Sequence, residues 1–154
     1  MTRRQFDYIV VGAGATGCVI ASRLSEDPAC QVAVVEAGGS DRSPIFHVPG
    51  IGFLASSAQR ANWWFQTLAN PELQNRSLVL LAGKLLGGSS SINGMIFTRG
   101  HSKEYDHWRD LGCDGWGFQD LLPYFRRIED NPRGSQGDLH GTDGPIKLKK
   151  AASY

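Results

Sequence analysis

The segment that most constrains the fold is a glycine-rich turn near the start of the chain, placed between an apolar run and a helix-forming stretch. Tyr8–Val11 is a β-branched and aromatic run that is typical of a strand covered on both faces. Gly12, Gly14 and Gly17 follow with the spacing G-x-G-x-x-G. In a dinucleotide-binding unit the first glycine allows the tight turn, the second lets a pyrophosphate approach the backbone, and the third lets the helix pack closely on the strand. The segment therefore predicts a strand, a phosphate-binding turn and a helix whose N-terminus faces the phosphates.

A second strand and an acidic residue give this turn the context that a lone glycine pattern lacks. Val32–Val35 is an apolar run, and Glu36 follows it directly, about 20 residues beyond Gly17. A carboxylate there can accept hydrogen bonds from both hydroxyls of an adenosine ribose and would repel a 2′-phosphate, which disfavours NADP. A glycine-rich turn in an α/β protein that binds no nucleotide is the less favoured interpretation. The sequence thus predicts a β-α-β unit over residues 6–37 with a dinucleotide ligand.

The composition is that of an ordinary globular domain. The chain has 154 residues, 41% hydrophobic and 20% charged, which is enough for one domain with a core. Its formal net charge of +1 predicts neither nucleic acid nor a membrane surface as a partner. Cys18, Cys30 and Cys113 form no C-x-x-C pattern, and the first two are expected to be small buried side chains. Because no apolar stretch is long enough to span a membrane, and Asp7 interrupts any twin-arginine export signal, we expect a cytoplasmic protein.

A second run of small residues lies in the middle of the chain. Gly87-Gly88 precedes three serines, Ser89–Ser91, so the backbone there can approach a ligand closely. The serine hydroxyls can cap a following helix or hydrogen-bond to an anion. A flexible linker is the alternative, but it does not explain the apolar residues on both sides, such as Leu85-Leu86 and Met95–Phe97. We therefore expect an ordered loop at a ligand site.

An aromatic run at Asn62–Thr67 allows two interpretations. From the residues alone a strand contributing to a core is favoured, and a flat wall against a planar cofactor is the alternative. Helices are predicted over His101–Leu111 and Phe118–Ile128, and a strand begins near Pro145. An ordered excursion over residues 43–57 is expected to pack through Ile45, Phe46, Ile51 and Phe53. No metal site is predicted, because the four histidines lack metal-ligand spacing: His47, His101, His107 and His140.

The two glycine-rich stretches together resemble those of the glucose-methanol-choline (GMC) family of FAD-dependent oxidoreductases, in particular its bacterial alcohol and choline dehydrogenase-like members. The family's first signature is matched from Gly83 to Asn93, as G-K-L-L-G-G-S-S-S-I-N. The similarity runs from Asp7 to about Leu148. Other family-like stretches are Glu36–Gly39, Asn62-Trp63, Tyr105–Trp108, Leu122–Phe125 and His140–Pro145.

This resemblance implies FAD rather than NAD as the dinucleotide, bound by a Rossmann-like α/β domain. Residues 1–150 would form part of that FAD-binding domain, with the start of the substrate domain at the C-terminal end and the substrate-binding and catalytic region absent. Leu85 and residues 93–96 would lie against the flavin, and the aromatic run at 62–67 would help to enclose it. The implied cofactor-binding residues are Gly12, Ala13, Gly14, Thr16, Gly17, Glu36, Ala37, Asn62, Trp63, Leu85, Gly88, Ser89, Asn93, Gly94, Met95 and Ile96.

The resemblance also implies a reaction, the oxidation of a small-molecule alcohol. A histidine base would take the hydroxyl proton while a hydride passes from the CH–OH carbon to the flavin. In the family that histidine lies near the C-terminus of a much longer chain, so no catalytic residue is expected here. Two alternatives stay open: a family member with non-redox chemistry, similar to hydroxynitrile lyases, and a non-catalytic nucleotide-binding module. If the chain is a fragment of such an enzyme, apolar surface should be exposed where the rest of the sheet would sit.

Overall fold

The computed structural model describes residues 4–48, 54, 57–133 and 138–150. The chain divides into two compact units, Met1–Ile96 and Phe97–Tyr154. The first unit contains both glycine-rich stretches, and the second contains the helices predicted after residue 100. The predicted FAD-binding domain over residues 1–150 includes both units and stays a prediction.

The first unit begins with a β-α-β arrangement. Strand β1, Tyr8–Val11, pairs in parallel with β2, Val32–Val35, and helix α1, Ala15–Leu24, connects them. Tyr8 lies opposite Val32 in this register, so both strands end together at the edge where the glycine turn begins. Parallel strands need such a crossover connection, and Pro28 in the loop before β2 prevents α1 from continuing. The predicted β-α-β unit and its Rossmann-like class are therefore confirmed.

The expectation that β1 is covered on both faces is wrong for the described chain. Ile9 is 62% exposed and Val11 84% exposed, and Val34 and Val35 are also exposed. The reason is that β1 and β2 form a sheet of two strands among the described residues, with α1 packed against it. Strands that are apolar on both faces are typical of sheets with helices on both sides. The exposed apolar surface agrees with the fragment interpretation.

The first unit also contains an antiparallel hairpin. Strand β3, Asn62–Gln66, pairs with β4, Val79–Gly83, which places Trp63 opposite Ala82. A small buried cluster of Ala61, Leu85 and Ile92 lies beside the hairpin. The half-buried Ile45 and Phe46 pack against this cluster, which confirms part of the expected packing of residues 43–57, whereas Ile51 and Phe53 lie outside the described residues.

Within its described residues, the second unit contains two helices and a short parallel strand pair. Helix α2 spans Ser102–Asp110 and α3 spans Phe118–Ile128, which confirms both predicted helices. Strand β5, Glu129–Asp130, pairs with β6, Ile146–Lys147. The Tyr105 ring, on α2, meets the Trp108 ring edge-on with centroids 5.3 Å apart and the Phe125 ring of α3 at 5.5 Å. Aromatic contacts of this kind hold the two helices together.

A buried carboxylate organises the loop between β5 and β6. Glu129 is fully buried; its Oε1 lies 2.7 Å from His140 Nδ1 and accepts a hydrogen bond from Asn131 Nδ2 at 3.0 Å. Arg99 forms an ion pair with Glu129 Oε2 and donates a further hydrogen bond to the carbonyl of Leu139. Burial raises the pKa of Glu129, but the hydrogen bonds from His140 and Asn131 and the Arg99 charge outweigh it, so this pKa is lowered.

Two other sequence-based expectations concern the cysteines and the membrane. Cys18 is exposed, so the prediction of a buried side chain is wrong there; its thiol lies on the surface of α1, 3.3 Å from the carbonyl oxygen of Ala13. Cys30 is half-buried, and the three thiols are free. None of the helices in the described ranges has the length and hydropathy that a bilayer-spanning segment needs.

Candidate cofactor site

A cavity of about 640 Å³ lies at the carboxyl ends of β1 and β2. In open α/β sheets ligands bind outside the carboxyl ends of the strands, and a volume of a few hundred Å³ is typical of small-molecule sites. The lining residues are Val11, Gly12, Gly14, Ala15, Thr16, Gly17, Val35, Glu36, Ala37, Trp63, Gly83, Gly88, Ser89 and Ser90.

The glycine turn forms one wall of this cavity. Gly12 has a φ of +92°, a left-handed conformation that favours glycine, and its N–H donates to the carbonyl of Val35 at 2.7 Å. A Cβ on Gly17 would overlap the carbonyl oxygen of Gly12, so only glycine lets α1 approach the turn this closely. A Cβ on Gly14 would have no neighbour within 4 Å and would project into open space. The three glycines therefore have different functions, and Gly14 leaves room for a ligand.

Helix α1 directs unsatisfied donors towards the same space. Thr16 and Gly17, in the first turn of α1, line the cavity, and their backbone N–H groups have no acceptor among the described residues. The first turn of any helix leaves such donors free, and the helix dipole adds a partial positive charge there. This end of the cavity is suited to an anionic group such as a pyrophosphate.

Glu36 lines the cavity and contacts the glycine turn through its carboxylate. Its Oε2 accepts a hydrogen bond from the backbone N–H of Ala13 at 2.7 Å, and its Oε1 accepts one from Gly38 at 2.8 Å. Both hydrogen bonds lower the pKa of Glu36, because they stabilise the ionised carboxylate. The bond from Ala13 has the larger effect and the bond from Gly38 the smaller one. The carboxylate thus joins the glycine turn to the loop after β2, and it remains ionised at neutral pH.

The second glycine-rich stretch is joined to the first by its backbone. The N–H of Gly87 donates to the carbonyl of Ala13 at 2.7 Å. A Cβ on Gly88 would lie 2.9 Å from the Cα of Gly14, and one on Gly83 would overlap the backbone of Gly88. The Ser89 hydroxyl accepts a hydrogen bond from the N–H of Gly83 at 3.0 Å. Small residues here allow one backbone segment to lie directly on another, so the loop is ordered and is not a flexible linker.

The structure divides the predicted cofactor residues into two groups. One group lines the cavity and consists of Gly12, Gly14, Thr16, Gly17, Glu36, Ala37, Trp63, Gly88 and Ser89. The other does not line it and consists of Ala13, Asn62, Leu85, Asn93, Gly94, Met95 and Ile96. Ala13 and Leu85 are buried, with Leu85 in the core cluster, whereas Met95 and Ile96 are exposed. Cofactor contact stays a prediction for all of these residues.

Sequence reasoning missed several lining residues: Val11, Ala15, Val35, Gly83 and Ser90. Val11 and Val35 are the last residues of parallel strands, and that position alone could have indicated them. Ala15 lies inside the G-x-G-x-x-G segment. Gly83 and Ser90 belong to the second glycine-rich stretch and could have been included with it.

The geometry of the cavity is that of a dinucleotide site, and comparison with known proteins assigns the chain to a family. Residues 6–153 match the sequence profile of the GMC oxidoreductases. This chain belongs to the GMC oxidoreductase family. The resemblance predicted from the two glycine-rich stretches is thereby confirmed, and FAD is the cofactor that the family implies for this cavity.

Several relatives and solved structures illustrate this membership. The chain is 43% identical over 146 residues to an oxygen-dependent choline dehydrogenase of Sinorhizobium medicae, covering 95% of this chain and 26% of the relative. It is 46% identical over 144 residues to an alcohol dehydrogenase [acceptor] of Pseudomonas putida, covering 93% of this chain and 26% of the relative. The crystal structure of pyridoxine 4-oxidase from Mesorbium loti superimposes with a TM-score of 0.84 at 35% identity, covering 93% of this chain and 28% of the other. The chain therefore spans about a quarter of the length of the proteins it matches.

The residues present fit an FAD molecule. Free N–H donors and the open position beside Gly14 provide for the pyrophosphate, and the ionised Glu36 provides for an adenosine ribose. Trp63 adds an aromatic surface to the lining. Among the described residues, no group of three or more His, Cys, Asp and Glu side chains is arranged to hold a metal ion.

Proposed function

We propose that this chain is the FAD-binding part of an oxidoreductase that acts on the CH–OH group of an alcohol. The observation that carries the proposal is Glu36, which follows β2 and reaches back to the N–H of Ala13 at the edge of the cavity. This hydrogen bond brings the carboxylate proposed to bind the ribose and the turn proposed to bind the phosphates together. Membership of the GMC family supports FAD as the dinucleotide that uses them.

The proposed roles of the residues follow from their positions. Gly12, Gly14 and the first turn of α1 would bind the pyrophosphate, and Glu36 would accept hydrogen bonds from the ribose hydroxyls. Gly88 and Ser89 would lie beside the cofactor, because both line the cavity and Gly88 also contacts the glycine turn. Ala13, Leu85, Asn62 and residues 93–96 keep their predicted roles as neighbours of the cofactor.

The reaction of the whole protein is a further part of the proposal. FAD held by Gly12, Gly14 and Glu36 would supply a hydride acceptor for the oxidation of the substrate alcohol. Relatives named for choline and alcohol oxidation support an alcohol as the substrate class. We place the catalytic base outside this chain, whose own residues bind and orient the cofactor. Free cysteines on the described surface support a reducing, cytoplasmic location.

A binding experiment tests the cofactor assignment. The purified chain is incubated with excess FAD, free cofactor is removed by gel filtration, and the visible absorption spectrum is recorded. Retained flavin absorbance is the expected result, with NADP failing to compete because Glu36 repels a 2′-phosphate. A folded but colourless chain would contradict the proposal that these residues hold FAD.

A second experiment tests the reaction with the full-length protein. Anaerobic addition of a primary alcohol should bleach the flavin absorbance as the cofactor is reduced. Cleavage of a cyanohydrin without bleaching would favour the alternative with hydroxynitrile lyase-like chemistry. Flavin binding without either reaction would favour the non-catalytic nucleotide-binding module.

A further inference from the structure

Trp63 is the single aromatic residue in the lining of the cofactor cavity, within the described part of the chain. It lies on β3 and is 38% exposed, so part of the indole ring is covered by protein. The Phe65 ring lies beside it at a centroid distance of 6.0 Å and an interplanar angle of 15°. The indole therefore offers the cavity a flat apolar surface whose orientation depends on its neighbours.

One of those neighbours is a cation. The Nζ of Lys84 lies 4.1 Å from the centroid of the Trp63 ring, within the range of a cation–π interaction. Among the described residues, no carboxylate lies within ion-pair distance of this ammonium group. The Lys84 ammonium group thus interacts with the Trp63 ring.

The backbone of Lys84 is fixed on two sides. Its N–H donates to the carbonyl of Ala61 at 2.8 Å, next to the start of β3. Its carbonyl lies so close to Gly38 that a Cβ there would overlap it. Lys84 is therefore attached both to the aromatic strand and to the loop that Glu36 also contacts, yet Lys84 itself does not line the cavity.

We propose that Lys84 is a positioning residue for the cofactor: its ammonium group holds the Trp63 indole in place as a wall of the cavity. This inference rests on the proposed FAD site. A cation on the indole restricts the ring to one orientation, so less conformational freedom is lost when a planar group of the cofactor binds against the ring. The charge acts through Trp63 and not by direct attraction of the phosphates.

A double-mutant cycle separates these two modes of action. The dissociation constant for FAD is measured for the wild-type chain, Lys84→Met, Trp63→Leu and the double variant. Methionine keeps an unbranched apolar stem and removes the charge. Lys84→Met should weaken FAD binding by about 3- to 10-fold. In the Trp63→Leu background the same change should alter the affinity by less than about 2-fold. Lys84→Arg should restore binding close to the wild-type value, because a guanidinium also stacks on an indole.

Equal losses in both backgrounds would overturn the proposal, since they would mean that the charge acts on the cofactor directly. An unchanged affinity in Lys84→Met would overturn it as well. Failure of the wild-type chain itself to bind FAD would instead contradict the proposed function. The positioning role then has its own readout without ligand: acrylamide quenching of tryptophan fluorescence should increase in Lys84→Met but not when Trp63→Leu is already present. No increase would refute the positioning role.

Discussion

The cofactor cavity and the buried cluster formed by Glu129 with Arg99, Asn131 and His140 are held together in opposite ways. Around the cavity, backbone lies on backbone: Gly88 contacts Gly14, and Gly38 contacts the carbonyl of Lys84. In the second unit a single buried carboxylate, Glu129, joins the side chains of neighbouring segments. The first arrangement depends on the absence of side chains and leaves space for a ligand, whereas the second fills its space with charges and hydrogen bonds.

The difference shows what each region is suited to do. Glycine contacts fix the path of two loops while keeping N–H groups and open volume available to a cofactor. A buried ion pair neutralises its own charges, but removing one member leaves the other uncompensated. Substitutions in the two regions should therefore fail for different reasons and by different amounts.

The largest effect is expected for Glu129→Ala. Removing the carboxylate leaves the Arg99 charge buried without its partner and frees the His140 loop, which should lower the free energy of unfolding by about 3–5 kcal/mol. Urea denaturation followed by circular dichroism measures this loss. The exposed Glu104 on α2 provides the control, because Glu104→Gln should change the stability by less than about 0.5 kcal/mol. Equal effects of the two substitutions would show that the cluster does not stabilise the unit.

A smaller effect is expected from adding one methyl group to the loop after β2. Gly38→Ala forces a Cβ against the carbonyl of Lys84 and should cost about 1–3 kcal/mol of unfolding free energy through overpacking. Its neighbour gives a matched control, since a Cβ on Gly39 has no atom within 4 Å, so Gly39→Ala should leave the stability unchanged or slightly raised. If both variants unfold at the same urea concentration, close backbone contact is not what holds this loop.

The smallest effect on stability is expected at Glu36 and depends on pH. Because its pKa is lowered in the folded chain, the ionised carboxylate stabilises the fold above the ordinary glutamate pKa, and this contribution is lost as the pH falls through the lowered value. Glu36→Gln should cost about 1 kcal/mol at pH 7, and the gap from wild type should close as the solution is acidified.

Urea midpoints measured between pH 7 and pH 3 follow this gap. Glu72→Gln, at an exposed turn residue, serves as the control and should differ little from wild type at neutral pH. A Glu36→Gln gap that stays constant over the whole pH range would mean that the backbone hydrogen bonds do not depend on the carboxylate charge.

Local patterns in the sequence predicted the elements better than they predicted the contacts between them. β1, β2 and α3 begin and end where the apolar runs and the helical pattern place them. The contact between Gly88 and Gly14 joins segments far apart in sequence, and nothing in either segment alone indicates that they touch. The burial of Ala13 and Leu85 also depends on how distant segments pack, and their contact with the cofactor stays a prediction.

The burial of β1 was predicted wrongly for a related reason. The apolar composition of β1 is typical of a strand in a sheet that is covered on both faces. Among the described residues, however, β1 belongs to a sheet of two strands. Apolar composition reports the environment in which a strand is stable, and that environment can be supplied by residues outside the segment. Cys18 is a second case of this kind, because cysteine is a residue type that is often buried, yet this side chain is exposed on α1.

Gly14→Ala tests whether the space beside Gly14 holds the cofactor. The added Cβ meets no atom of the protein within 4 Å, and the residue has an ordinary φ of −73°, so the variant should unfold at the same urea concentration as wild type. Gel filtration after incubation with FAD should leave flavin absorbance on the wild-type chain and remove it from the variant. Equal retention of flavin by the two chains at equal stability would contradict cofactor binding beside Gly14, because the methyl group would then occupy space that the cofactor does not use.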